Sequence, residues 1–248
     1  STITSWHRLA RVLATISLHP VGSRAAPPDE SDGRRRGFRS TTRATMVITM
    51  LPTRILLRDH SEKLVAAWNE TFANHDAVEA LATDFFDEDA DALVSPANSF
   101  GIMDGGLDRA IRDRLGHDVE KLVQRRILED HHGEIPIGAA FVVATQHARW
   151  PYLIVAPTMR VPEPSGHTLN AYLAFRAILL AVRAFNETCG STAIGSVVVP
   201  GLCTGIGGME PRRCAAQMRL AYDQITKPAR IPSFDLIHEL HRKLRSAG

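Results

Sequence analysis

The sequence predicts one three-layer α/β domain, and three observations carry that prediction. Short apolar or β-branched runs alternate with amphipathic helical segments, the joints between them are short, and two of the runs lead directly into glycine-bearing loops. The chain has 248 residues, enough for one such domain with extensions. With 44% hydrophobic and 23% charged residues it has the composition of a globular protein rather than a disordered one. No internal repeat is visible.

The elements follow in order. Residues 54–58, Arg-Ile-Leu-Leu-Arg, read as a strand. In the segment 61–72, Leu64, Val65, Trp68 and Phe72 share a helical face, and Ser61 stands where an N-cap belongs. A second short strand covers 77–82, and the acidic stretch 84–89 reads as a loop. The run 92–94 is a buried strand that ends at Ser95-Pro96. A glycine-bearing turn from Gly101 to Gly106 feeds a helix over 107–115, and another helix covers 118–131. Strands are expected at 138–145 and 152–156, and a long helix at 168–186. The β-branched run 196–199 enters a loop at 201–208. Pro211 then opens a helix to about residue 227, at the first-turn position where proline fits. A last helix is expected over 234–244.

Charge excludes one class of function. The net charge is +2, but residues 1–45 hold eight Arg against three acids, so the remainder is negative. The folded part has no positive field with which to hold a polyanion, so nucleic acid is not an expected partner. Residues 1–26 contain Arg8, Arg11 and Arg24 and no acid. This start reads either as a mitochondrial transit segment or as sequence upstream of a real start at Met46, and both readings stay open. Residues 27–45, rich in Pro, Gly, Ser, Thr and Arg, are expected to be disordered. The cysteines Cys189, Cys203 and Cys214 show neither metal spacing nor a disulfide framework, which suits a reducing, cytoplasmic setting. No apolar run reaches the ~20 residues of a membrane helix. The pair His131-His132 beside Gly133 reads as a helix end rather than a metal site.

Two segments, 91–112 and 197–209, each run strand, glycine loop, helix. In open α/β sheets ligands bind beyond the carboxyl ends of strands, against helix N-termini. Glycine lets the backbone approach a phosphate closely, and the unpaired N–H groups at a helix start can hold it. Two such loops facing each other would grip a diphosphate. Neither is a P-loop, since no Gly-Lys-Ser/Thr follows, and Gly205-Ile-Gly-Gly lacks dinucleotide-loop spacing.

Three ordered motifs carry a resemblance to a known family over roughly residues 50–228. The stretch Asp91-Ala-Leu-Val-Ser-Pro-Ala-Asn98, followed by Gly105-Gly-Leu-Asp-Arg-Ala-Ile111, resembles the first signature of macro domains. Pro200-Gly-Leu-Cys-Thr-Gly-Ile-Gly-Gly208 is similar to the family's Ser-Thr-Gly loop, with Cys203 in the Ser place. Asp84 is similar to the Asp of its Gly-Asp-Ile turn. The resemblance implies a three-layer α-β-α fold with a central mixed sheet that binds ADP-ribose, in a divergent, bacterial- or phage-like subgroup of the Appr-1-p-processing-like proteins. It implies that Asp84, with the Phe85 backbone, meets the adenine. Ala97, Gly105, Gly106 and Leu107 on one side and Cys203, Thr204, Gly205, Ile206 and Gly207 on the other would surround the diphosphate. Asn98 and Asp108 would lie at the distal ribose as the catalytic pair.

Three departures bear on catalysis. Met103 and Asp104 stand where many members have glycines, Gly207 stands where many have an aromatic, and Ser95 replaces the first Asn of the signature. The expected domains are a tail (1–45), a macro domain (46–230) and a C-terminal helix (231–248). The expected function is binding of ADP-ribose, with hydrolysis of an ADP-ribosyl linkage at the distal ribose. The alternative is a non-catalytic ADP-ribose reader. Expected partners are ADP-ribose and ADP-ribosylated proteins or metabolites, with no cofactor, no metal and no membrane demanded.

Overall fold

The computed structural model describes residues 50–189 and 193–246. The tail 1–45, with its transit-segment and disorder readings, lies outside the described residues. Among them are six strands, β1 (Arg54–Arg58), β2 (Val78–Leu81), β3 (Ala92–Ser95), β4 (Phe141–Ala144), β5 (Tyr152–Val155) and β6 (Ser196–Val199). The helices are α1 (Glu62–Phe72), α2 (Gly106–Leu115), α3 (Asp118–His131), α4 (Asn170–Cys189), α5 (Pro211–Thr226) and α6 (Phe234–Ser246).

Local chemistry sets most of these limits. Ser61 caps α1 by accepting a hydrogen bond from Leu64 N (3.4 Å), as its position in the sequence predicts. Glu210 caps α5 by accepting from Arg213 N (2.9 Å), with Pro211 opening the helix. His132 closes α3 in the left-handed conformation (φ 54°), and His131 stacks on Phe141. Strand β4 is shorter than the expected 138–145 because residues 136–139 close a turn, with Ala139 N donating to Pro136 O (3.1 Å).

The six strands form one sheet in the order β2-β1-β6-β3-β5-β4. All neighbouring pairs are parallel except β4 with β5, which is antiparallel. The sheet is therefore mixed, and helices cover both faces. Alternate strand residues divide between two cores, as the period of 2 requires. Ile55, Leu57, Val94 and Val199 pack on one face with Trp68 of α1, Phe175 of α4 and Met218 of α5. Leu56, Leu93, Leu153 and Val198 pack on the other with Ile111 of α2 and Val123 and Ile127 of α3. Both faces of the central strands are buried, which is why they read as unbroken apolar runs. Among the described residues no helix is long and apolar enough to cross a membrane.

Candidate functional site

Because β2, β1, β6, β3 and β5 run parallel, their carboxyl ends lie along one edge of the sheet. The loops that follow them gather there. Asp84 follows β2, Asp59 follows β1, and the two glycine loops follow β6 and β3. These last two strands are immediate neighbours, so the glycine loops leave the sheet side by side.

Thr158, beyond β5, ties them together. Its N–H donates to Ala97 O (3.1 Å) and its hydroxyl to Pro96 O (2.9 Å), both in the first loop. Its carbonyl faces Cys203 Sγ of the second loop at 3.9 Å and accepts from Asn170 Nδ2 at the start of α4 (2.8 Å). Nothing in the sequence distinguishes Thr158, since its role exists only through residues distant in the chain.

In the first loop Asn98 holds the local backbone. Its Oδ1 accepts from Phe100 N (3.1 Å) and Ile102 N (3.3 Å), and its Nδ2 donates to Ile102 O (2.7 Å). One amide hydrogen is left for another partner. Met103 is buried on the α2–α3 side, and its N–H donates to Glu120 Oε1 of α3 (2.9 Å). It fills core space beneath α2 and α3. Asp104 is exposed. Helix α2 begins at Gly106, one residue earlier than expected, with a φ of +56° that an L side chain rarely adopts. Gly105 at the N-cap supplies no side-chain acceptor, so the first-turn N–H groups are not capped from within the helix.

Asp108 is thus the third residue of α2 rather than the second. Its Oδ1 accepts a hydrogen bond of 2.6 Å from the Ser95 hydroxyl at the end of β3. Burial pushes its carboxyl up to about 6, and the Ser95 hydrogen bond opposes that rise. Ser95 reads in the sequence as a departure; in the structure it is the residue that engages Asp108.

In the second loop Cys203 is buried in the left-handed region (φ 65°). Burial holds its thiol up to about 11, so it is not a thiolate at neutral pH. Its carbonyl accepts from Met209 N (2.9 Å), which bends the loop back on itself. Thr204 and the exposed Gly205 and Ile206 form the tip. Gly207 is buried because another segment lies on it. A Cβ there would meet Ser165 Oγ at 2.3 Å and Cys203 O at 2.5 Å. Ser165 N donates to Gly207 O (2.8 Å), so the loop after β5 occupies the space into which a side chain at 207 would grow.

Asp84 Oδ1 accepts from Phe86 N (2.8 Å) in a local turn, and Phe85 lies in the core beside Phe86. Any contact from Phe85 to a ligand is left to its backbone. Arg58, the last residue of β1 and only 1% exposed, fixes this corner. Its guanidinium bonds Glu79 Oε1 of β2 (2.5 Å), Glu88 Oε1 of the 84–89 loop (2.8 Å), and the carbonyls of Leu57 and Glu79 (both 3.1 Å). Asp59 accepts from Gly201 N (3.3 Å) and so joins the β1 end to the second glycine loop.

These features define a three-layer α/β protein whose two glycine loops converge at the carboxyl edge of a mostly parallel sheet. The macro domain family model matches residues 94–218. The chain belongs to the macro domain family. A protein of Aquifex aeolicus without assigned function is 32% identical over 130 residues, 52% of this chain and 70% of its own length. A macro domain-containing protein of Listeria monocytogenes is 27% identical over 163 residues, 61% of this chain and 86% of its own. Among solved structures, the macrodomain of Mycobacterium tuberculosis DarG is 24% identical, with a TM-score of 0.48 covering 61% of this chain and 95% of that one. An Oceanobacillus iheyensis macrodomain variant solved with ADPR is 18% identical, with a TM-score of 0.48 covering 65% of this chain and 88% of that one.

Proposed function

We propose that the chain binds ADP-ribose or a derivative across the carboxyl ends of β1, β2, β3 and β6, and hydrolyses an ADP-ribosyl linkage at the distal ribose. The observation that carries this reading is the convergence of two neighbouring glycine loops with Asp108, a partly buried carboxyl at the open N-terminus of α2. Membership of the macro domain family supports it.

The roles follow from the geometry and the family resemblance. The Asp84 carboxylate accepts a hydrogen bond from the adenine amino group, next to the Phe85 backbone. N–H groups of Ala97, Gly105, Gly106 and Leu107 and of residues 203–207 hold the diphosphate, where the α2 N-terminus favours negative charge. Backbone donors there take the place of Lys and Arg. Asn98 gives its remaining amide hydrogen to a hydroxyl of the distal ribose. Asp108 orients a water and accepts its proton as the water attacks the linkage. The bond to the departing group breaks and that group leaves with the proton; a carboxyl titrating near 6 is mostly ionised at pH 7 yet basic enough for this task. Much of the rate would come from positioning. The substrate is an ADP-ribosylated protein or metabolite joined through an ester or a related terminal group. The catalytic unit is the domain over 46–230, with α6 as an appended helix, and its working compartment is the cytoplasm.

The test is turnover of a mono-ADP-ribosylated protein, run beside calorimetry with ADP-ribose. The unsubstituted chain should release the label, and Asp108→Ala should lose turnover while keeping ADP-ribose affinity. Affinity should fall from ADP-ribose to ADP to AMP as groups are removed; equal affinity for all three would remove the distal ribose from the site. The exposed carboxylate of Asp104 in the first loop favours a second reading, a reader that binds without turnover. Binding with no turnover by the unsubstituted chain would establish that reading.

A further inference from the structure

We propose that Ser95 is the positioning residue for Asp108, fixing which carboxylate oxygen faces the reacting water and setting the pH at which Asp108 becomes a base. This rests on the hydrolytic reading above and goes beyond it, since the family signature has an Asn at this place and assigns no such role to a serine.

The geometry is specific. Ser95 is the last residue of β3, a central strand paired on both sides with β5 and β6, and it is 1% exposed. The residue after it is fixed by the Thr158 hydroxyl, which donates to Pro96 O at 2.9 Å. A serine on such a support has little freedom of placement. Its hydroxyl donates to Asp108 Oδ1 at 2.6 Å, the short distance of an O–H bonded to a charged acceptor. With Oδ1 engaged, Oδ2 is the oxygen left to hold water.

Several charged groups on the elements around Asp108 pair with one another. On α2 itself, Arg109 faces Asp113 (3.7 Å) and Arg112 faces Glu120 of α3 (3.4 Å). Glu120 also accepts from Met103 N (2.9 Å). Strand β3, Ala-Leu-Val-Ser, carries no charge, and Asp104 in the preceding loop is exposed. The balance at Asp108 is accordingly between burial, which disfavours the carboxylate, and the Ser95 hydroxyl, which favours it.

The experiment uses the full chain as the parent protein, Ser95→Ala and Ser95→Thr. Three quantities are read: the pH dependence of turnover from pH 5 to 8.5, the carbon-13 titration of the Asp108 carboxyl, and ADP-ribose affinity as a check on folding. A hydrogen bond to a charged group holds the carboxyl down by roughly one pH unit. In Ser95→Ala the acid limb and the carboxyl titration should both move up by about that much. Turnover at pH 6 should then fall about five-fold further than it does at pH 8.5, where the remaining deficit reports the lost positioning, while KM stays within about two-fold. Ser95→Thr, which keeps the hydroxyl, should restore the parent profile. A serine that merely fills space would lower turnover equally at all pH values and leave the titration unmoved, and that result would overturn the proposal. If the parent shows no turnover at any pH, the hydrolytic reading fails by itself, and the titration still decides whether Ser95 sets the proton affinity of Asp108. If Ser95→Ala does not fold, Ser95→Thr and the parent decide through the Ser95 hydroxyl proton. It should resist exchange when Asp108 is ionised and lose that protection as Asp108 is protonated; fast exchange throughout would overturn the proposal.

Discussion

The buried carboxyl of Asp108 costs stability at neutral pH, and the sign of that cost is testable. Its carboxyl is raised from 3.8 to about 6, so the folded chain holds this proton more tightly than the unfolded one. The associated stability is fully present below about pH 4 and is lost as pH rises through about 6. Because the side chain is only partly buried, the cost at pH 7 is on the order of 1–3 kcal/mol. Asp108→Asn should therefore raise the unfolding midpoint at pH 7.5 and leave it nearly unchanged at pH 4; a lower midpoint at pH 7.5 would contradict the buried-carboxylate account. At this scale the sequence was legible where chemistry depends on residue type and spacing. Asn98, Asp108 and the glycines stand out because their order and separation form a pattern. Ser95, Thr158 and Arg58 do not, because each acquires its role from partners 12 to 62 positions away that only the fold brings near.

The loops show what an element can replace. A side chain at 207 has no room, because the segment around Ser165 already covers the second glycine loop. Gly207→Ala should cost about 1–3 kcal/mol through overpacking and weaken ADP-ribose binding. A Gly207→Phe chain that bound more tightly would show that the 165 segment yields easily. In the sequence Gly207 stands where many members have an aromatic; the structure fills that space with a different loop, an arrangement invisible without tertiary neighbours. Arg58 works in a similar way at the corner that holds Asp84. Arg58→Met leaves Glu79 and Glu88 to solvent and unties the loop that carries Asp84. The expected cost is about 1–3 kcal/mol in denaturant unfolding, below that of a fully buried pair because both glutamates reach water. Affinity should fall for ADP-ribose more than for ribose 5-phosphate. The element boundaries were read closely wherever a cap or a proline marks them, as at Ser61 and Pro211. They were read less well where a turn without such a marker sets the limit, as before β4.

Over the whole molecule, the alternation of strand residues between two cores makes the sheet a shared wall. Leu93, fully buried, lies on the face covered by α2 and α3, and its truncation to Ala should cost about 2–5 kcal/mol by chemical denaturation. The layered architecture was legible because periodicity reports it, but the order of strands was not, since no local pattern encodes which runs pair. That order has a consequence for how the chain is made. β6 is the last of these six strands to leave the ribosome, yet it is the keystone between β1 and β3. Until residues 196–199 emerge, the β1–β2 pair and the β3–β5–β4 trio have no strand to join them, and each exposes a sticky apolar border. A nascent chain halted just short of Ser196 should be a ready client for chaperones and should precipitate when released. A chain extended past Val199 should stay in solution, and equal behaviour of the two would show that the halves find each other without their keystone.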